Sequence, residues 1–173
     1  MKRIIIFMFI IVAITSCVST KINSIKDEDF KAKIDNVFIL VNITEDEIDF
    51  GSKLLGNLGV ELKKIGLNID GLLYYPMSLL KQKDITDKIR IFNPDFFFEI
   101  TLTKIIFYDG GPSGGEFDLA IYETKSQKPI WKATAKTQEG FGSMGDPVLT
   151  VKEIIEKFKK DGLITFTEKT NEK

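Results

Sequence analysis

The side chains that carry most protein chemistry are scarce in this chain: its 173 residues include no histidine and one cysteine. Without an imidazole there is no Ser-His-Asp or Cys-His relay and no histidine metal ligand. A lone cysteine closes neither an internal disulfide nor a cysteine-rich zinc site. Three motifs remain to be weighed. The acidic run Glu45, Asp46, Glu47 and Asp49 has the residue types for calcium binding or for a carboxylate pair in hydrolysis. It lacks EF-hand spacing, however, and falls at a helix start, where the helix dipole favours negative charge. Gly140-Phe141-Gly142-Ser143-Met144-Gly145 spells G-x-G-x-x-G between a strand and a helix, the setting in which such a loop cradles pyrophosphate. Only 28 residues follow Gly145 in the 173-residue chain, too few for the next strand and acidic residue of a dinucleotide unit. That loop is expected to be mobile, with Phe141 and Met144 exposed. Ser78-Leu79-Leu80-Lys81 has the spacing of a serine nucleophile and a lysine base, but Lys136-Thr137-Gln138 does not supply the Lys-Thr-Gly partner that such a site requires. No catalytic residue, metal site or cofactor is expected.

The cysteine has a different chemistry. Lys2 and Arg3 precede an apolar run from Ile4 to Ile14, which leads into Thr15, Ser16 and Cys17. Eleven apolar residues are too few for a spanning helix, which needs about 20, and fit the core of a signal peptide. Ile14-Thr15-Ser16-Cys17 resembles the lipobox of bacterial lipoprotein precursors, which implies cleavage before Cys17 and its acylation. Removal of the first 16 of 173 residues leaves 157, with 22 basic against 25 acidic residues and a net charge of −3. Several acyl chains would hold such a protein firmly in the membrane. Val18 stands where retention in the inner membrane typically goes with Asp, so the expected address is the outer membrane, facing the periplasm. The intact chain carries 24 basic and 25 acidic residues, a balance that offers no electrostatic reason for a nucleic-acid partner.

The elements that position these residues follow from hydrophobic periodicity. Residues 17–35 form the lipidated cysteine and a polar tether, whose eighteen residues after Cys17 reach about 60 Å when extended. A single domain is expected over 36–162, followed by a polar tail over 163–173. Val37–Val41 is a continuous β-branched and aromatic run, as in a strand covered on both faces. Thr44 to Glu47 has capping-box spacing ahead of a helical stripe of Phe50, Leu54, Leu55, Leu58, Leu62 and Ile65, and Gly66 is placed as its C-terminal cap. Gly51, Gly56 and Gly59 in that helix suit close packing on a sheet. Leu67–Tyr75 reads as a strand and Asp84–Phe92 as a helix that stops before Asn93-Pro94. Three alternating strands follow, around Phe96–Thr103, Phe117–Tyr122 and Trp131–Lys136, with Asp109 to Gly115 as a flexible hairpin connection. Asp146-Pro147 opens a last helix. The expected fold is α/β (α+β): a single mixed sheet in the order β-α-β-α-β-β-β-α, with helices packed on it.

Asn93 to Ile100, together with Tyr122 to Ala133, resembles a group of small envelope lipoproteins. The group comprises the CsgG-like curli-secretion lipoproteins, the penicillin-binding-protein activators and the TolB amino-terminal-like domains. In their "D-x-x-T-G-K-x-x-W-x-A" pattern, Glu123 stands in place of Asp and Gln127 in place of Gly. The resemblance implies a protein that binds or assembles rather than catalyses. The sequence pattern gives no expectation of long alternating hairpins with lipid-facing alternation, of the kind that make a membrane pore. The expected role is therefore that of a membrane-anchored, non-enzymatic module for a cell-envelope protein. Phe107, Tyr108, Gly110, Gly111, Phe141 and Met144 are the candidate docking residues, since exposed apolar groups mark interfaces. The alternatives are a small-ligand or glycan-binding lipoprotein and a hydrolase that uses acidic residues.

Overall fold

A computed structural model describes residues 19–138 and 143–164. The fold is the expected α+β class: a single mixed sheet of six strands with three α-helices. In chain order the elements are β1 (Ser19–Lys26), β2 (Asn36–Asn42), a 3-10 turn (Glu45–Glu47), α1 (Ile48–Lys64), β3 (Asn68–Tyr74) and α2 (Gln82–Phe92). They are followed by β4 (Phe96–Tyr108), β5 (Gly111–Glu123), β6 (Pro129–Gln138) and α3 (Pro147–Lys160). Across the sheet the order is β1-β6-β5-β4-β2-β3. β3, β2 and β4 run parallel, whereas β4, β5, β6 and β1 are successively antiparallel.

One face of the sheet holds the main core. Val37, Ile39 and Val41 of β2 share it with Phe98 and Ile100 of β4, Phe117, Leu119 and Ile121 of β5, and Trp131 of β6, all buried. α1 and α3 cover this face side by side. Phe50 of α1 stacks on Phe117 at 5.6 Å, and Phe158 of α3 meets both Phe98 and Trp131 edge-on at 5.2 and 5.1 Å. On the opposite face α2 covers only the parallel end, where Phe92 packs on Phe38 at 5.9 Å and Phe38 on Phe97 at 5.6 Å. This is why the Val37–Val41 run lacks alternation: its strand is packed on both sides.

The element order departs from expectation at the start. Ser19–Lys26, placed in the tether by composition, is an edge strand registered residue by residue on β6, from Ser19 opposite Gln138 to Lys26 opposite Trp131. Its side chains explain why. Ile22 packs against the core, Ser24 donates a 2.5 Å hydrogen bond to Asp161, and Thr20 meets Thr150 at 3.3 Å. The loop that follows is also packed, with Phe30 edge-on to Phe96 at 5.8 Å and Ile34 buried. At the other end Leu163 and Ile164, read as the first residues of the tail, are buried. The Thr44 capping box is not formed: its side chain makes no cap hydrogen bond and a 3-10 turn intervenes before α1. Of the three helical glycines only Gly51 is held by close packing, against Ile43 and Leu73; a side chain at Gly56 or Gly59 would meet open space.

Candidate functional site

The candidate residues fall on different parts of the fold. Asp109 and Gly110, at φ +50° and +82°, make a tight two-residue turn between β4 and β5. Asp-Gly is favoured there because both positions need positive φ. Gly111 to Gly115 are therefore strand residues of β5 and not the flexible connection expected from their composition. Glycine is needed in the strand because the neighbours are close: a Cβ on Gly114 would strike the Thr137 carbonyl, and one on Gly115 would strike Met144. The two long strands carry Phe107 and Tyr108 to the tip of a hairpin, where they are 64% and 68% exposed. β2 pairs with β4 only as far as Thr101, so from Leu102 onward β4 pairs with β5 alone.

Met144 corrects the sequence reading, because it is buried (2% exposed) and not presented to a partner. The cause is Thr137, a fully buried hydroxyl that donates to the Met144 carbonyl and accepts from the Gly115 N–H at 2.9 Å. This hydroxyl fastens the end of the loop to β5. Phe141 and Cys17 lie outside the described residues. The glycine motif ends at the N-terminus of α3, where the Asp146 carboxylate already accepts from the Val148 N–H at 2.8 Å. That carboxylate occupies the place a phosphate would take and would repel one. Ser78 and Lys81 precede α2 and do not share a helical face; the Ser78 hydroxyl accepts from the Leu80 N–H.

The acidic run surrounds a shallow recess of about 280 Å³, bordered by Asp46, Glu47, Asp49, Lys53 and the Ser143–Pro147 segment. Burial, and next the neighbouring Asp46 charge, push the Glu47 carboxyl above its usual range. Asp49 is ion-paired with Lys53 at 2.6 Å. Among the described residues no group of three or more His, Cys, Asp or Glu side chains is arranged to hold a metal ion.

A further open surface was not among the sequence candidates. Where β5, β6 and β1 leave the cover of α2, the outward residues of neighbouring strands stand in rows: Thr101, Asp118, Thr134 and Asn23, then Ala120, Lys132 and Ile25. A shallow groove of about 430 Å³ runs along them, walled by Tyr122, Asp118, Lys132 and Ile25. Part of this polarity is internally satisfied: the Asn42 amide donates to Glu99 and Thr101 at 3.0 and 3.1 Å, and Lys136 pairs with Glu116 at 3.2 Å. The alternation of β5 and β6 carried the signal for this face, since polar outward residues mean a sheet half that no helix covers.

Behind it, β1 is tied down by a partly buried polar knot at the end of α3. Asp161 accepts from Ser24 (2.5 Å), the Trp131 indole N–H (2.7 Å) and Lys157 (3.0 Å). Burial works against the charge of Asp161, but these three donors and the Lys157 ammonium outweigh it and hold the carboxyl below its usual range.

No protein-family model and no curated protein matches the chain. Among solved structures it is similar to the PelC dodecamer from Paraburkholderia phytofirmans, with a TM-score of 0.52, 14% identity, and 81% of this chain and 95% of that one covered. A variant of the same protein in a second crystal form gives a TM-score of 0.52 at 14% identity, over 80% of this chain and 95% of that one. At this identity the likeness extends to the fold.

Proposed function

We propose that the chain is a membrane-anchored envelope lipoprotein, acylated at Cys17, that works as a non-enzymatic binding or assembly module for a cell-envelope protein. The observation that carries this reading is the half-covered sheet: a broad, mixed polar and apolar face on β5, β6 and β1 without a helix over it among the described residues. Such a face suits docking of another protein, and an anchor raises the effective concentration of a partner held at the same membrane. The similarity in fold to a protein that assembles as a dodecamer is consistent with self-assembly as one form of that role, as is the resemblance to the CsgG-like, activator and TolB-like lipoproteins. The outer membrane, with the domain in the periplasm, is the proposed location.

The recess bordered by Asp46 and Glu47, with the Glu47 carboxyl raised by burial, is the observation on which a competing hydrolytic reading rests, because a pair of carboxyl groups at a recess can divide acid and base roles. Glu47 stands instead at the N-cap of α1, where an acidic side chain is at home.

Two measurements test the proposal. Cys17→Ser is expected to abolish fatty-acyl labelling and to move the protein from the membrane to the soluble fraction; continued membrane association would refute the anchor. Crosslinking in cells with wild type and with Ala120→Arg, which places a bulky charge on the open face, is expected to capture an envelope protein with the former and lose it with the latter. Capture that is indifferent to Ala120→Arg but lost in Glu47→Gln would favour the recess.

A further inference from the structure

Exposed apolar side chains are not spread evenly over this molecule. Of the ten large ones exposed among the described residues, only Ile25, Val60 and Ile91 lie away from one end of the sheet. That end is where β2, β3, β4 and β6 finish and where β1 and β5 begin. Leu79 (97% exposed) and Met77 follow β3 there, and Phe107 and Tyr108 cap β4.

The register brings the start of β1, two residues after the proposed acylation site, to the same end. Ser19 pairs with Gln138, Gln138 with Gly114, and Gly114 with Ile106, in a single line across β1, β6, β5 and β4. Three strand spacings of about 4.8 Å put Ser19 roughly 14 Å from the base of the hairpin tip. Beyond this line β4 continues through Phe107 and Tyr108 to the turn. On the other side the chain has only two positions left to Cys17, so covalent geometry keeps the two Cα atoms within about 7 Å. Because β1 is a docked strand and not a tether, its first residue and the hairpin tip share one level of the molecule.

We infer that the β4–β5 hairpin tip is a second membrane contact, with Phe107 and Tyr108 seated in the headgroup region of the bilayer that holds the acyl chains. The inference rests on the acylation of Cys17 proposed above. Aromatic rings favour this depth, where an apolar body and, for Tyr108, a polar hydroxyl are both accommodated. A lipid anchor alone leaves a domain free to swivel. A second contact, whose base lies about 14 Å from Ser19, fixes its orientation, standing the strands on end and turning the open face of β5, β6 and β1 sideways along the membrane. The acidic turn Glu45–Glu47 shares this end of the sheet, so a zwitterionic surface is the suitable probe.

The chain has one tryptophan, the buried Trp131, which makes the test direct. Full-length acylated protein is placed in phosphatidylcholine vesicles whose acyl chains are brominated near the headgroup. Phe107→Trp is expected to shift its emission to the blue and to lose about half of the added fluorescence, as a ring seated ~5–10 Å into the interface would. Wild type and Val60→Trp, which places the indole far from this end, are expected to stay unquenched. If Phe107→Trp is not quenched in protein that carries label and floats with the vesicles, the hairpin contact is overturned and the anchor stands. If no acyl label is found, the anchor itself fails and the inference falls with it. Equal quenching of Val60→Trp, or shielding of the Phe107→Trp indole only by an added envelope protein, would also overturn it.

Discussion

On the β3–β2–β4 side of the sheet both faces are packed, by α1 on one and α2 on the other. On the β5–β6–β1 side α3 covers one face, and among the described residues no helix covers the other. The strands record this difference in their composition. β2 is apolar at every position from Val37 to Val41, whereas β6 is buried and exposed in strict alternation from Trp131 to Gln138. A parallel strand between two helical layers has no solvent side, while an antiparallel meander can leave one face wet. The parallel half therefore specifies the fold, and the antiparallel half has a face to spare for function.

The largest expected effect is the one that separates the two halves. Phe38 lies in β2 with its ring between Phe92 and Phe97 and its side chain fully buried. Phe38→Ala is expected to cost about 3–5 kcal/mol in denaturant unfolding, through lost burial and the cavity left behind. Thr134→Lys, on the open face of β6, is expected to change stability by no more than about 0.5 kcal/mol. A Thr134→Lys cost close to that of Phe38→Ala would mean that the face is covered and that the two halves do not differ in this respect.

These halves were not equally legible in the sequence. The parallel half could be read because its periodicities are strong: the apolar run of β2 and the Phe50, Leu54, Leu58, Leu62 stripe of α1 each admit a single interpretation. The antiparallel half was misread where pattern alone decides little. β1 has only Ile22 and Ile25 as apolar members in a polar segment, and an edge strand covered on one face needs no more than that; its pairing with β6 is a long-range fact that no local window contains. The glycines of β5 suggested flexibility, yet Gly114 and Gly115 are glycines because Thr137 and Met144 leave no room for a side chain. The burial of Met144 is equally hidden from the sequence, since the Thr137 hydroxyl that holds its carbonyl is seven residues away and carries no motif. The open face could have been foreseen from the alternation of β5 and β6, but not the absence of a helix over it.

Asp161 tests how β1 is held on the antiparallel side. Its folded pKa lies below the unfolded value, so its contribution is complete above the unfolded value and is lost as pH falls through the folded one. Asp161→Asn keeps the shape but removes the charge that Ser24, Trp131 and Lys157 surround. It is expected to cost about 1–3 kcal/mol near neutral pH, the range for a partly buried hydrogen-bonded charge. The wild type should lose that advantage below about pH 4, near and under the ordinary aspartate value, so the two stability curves converge in acid. Urea titrations across this window, followed by the fluorescence of Trp131, measure it directly. Curves that stay parallel would show that the knot is held by hydrogen bonds indifferent to charge.

The smallest effect belongs to the turn that joins β5 to β6. The Glu123–Lys128 segment is braced by Ser126, whose hydroxyl donates to Glu123 at 2.5 Å and accepts from the Lys128 N–H. Gln127 adopts φ +55°, a left-handed conformation that costs a residue with a Cβ about 1–2 kcal/mol. Glycine, with no Cβ, suits such a position. Gln127→Gly relieves that strain but frees the unfolded chain by about 0.5–1 kcal/mol. The two nearly cancel, and a net gain of up to about 1 kcal/mol in denaturant unfolding is expected. A gain at Gln127 alongside a cost at Gly114→Ala, whose new methyl would meet the Thr137 carbonyl, would separate two uses of glycine in the same half of the sheet. One relaxes a turn, and the other lets β5 and β6 approach.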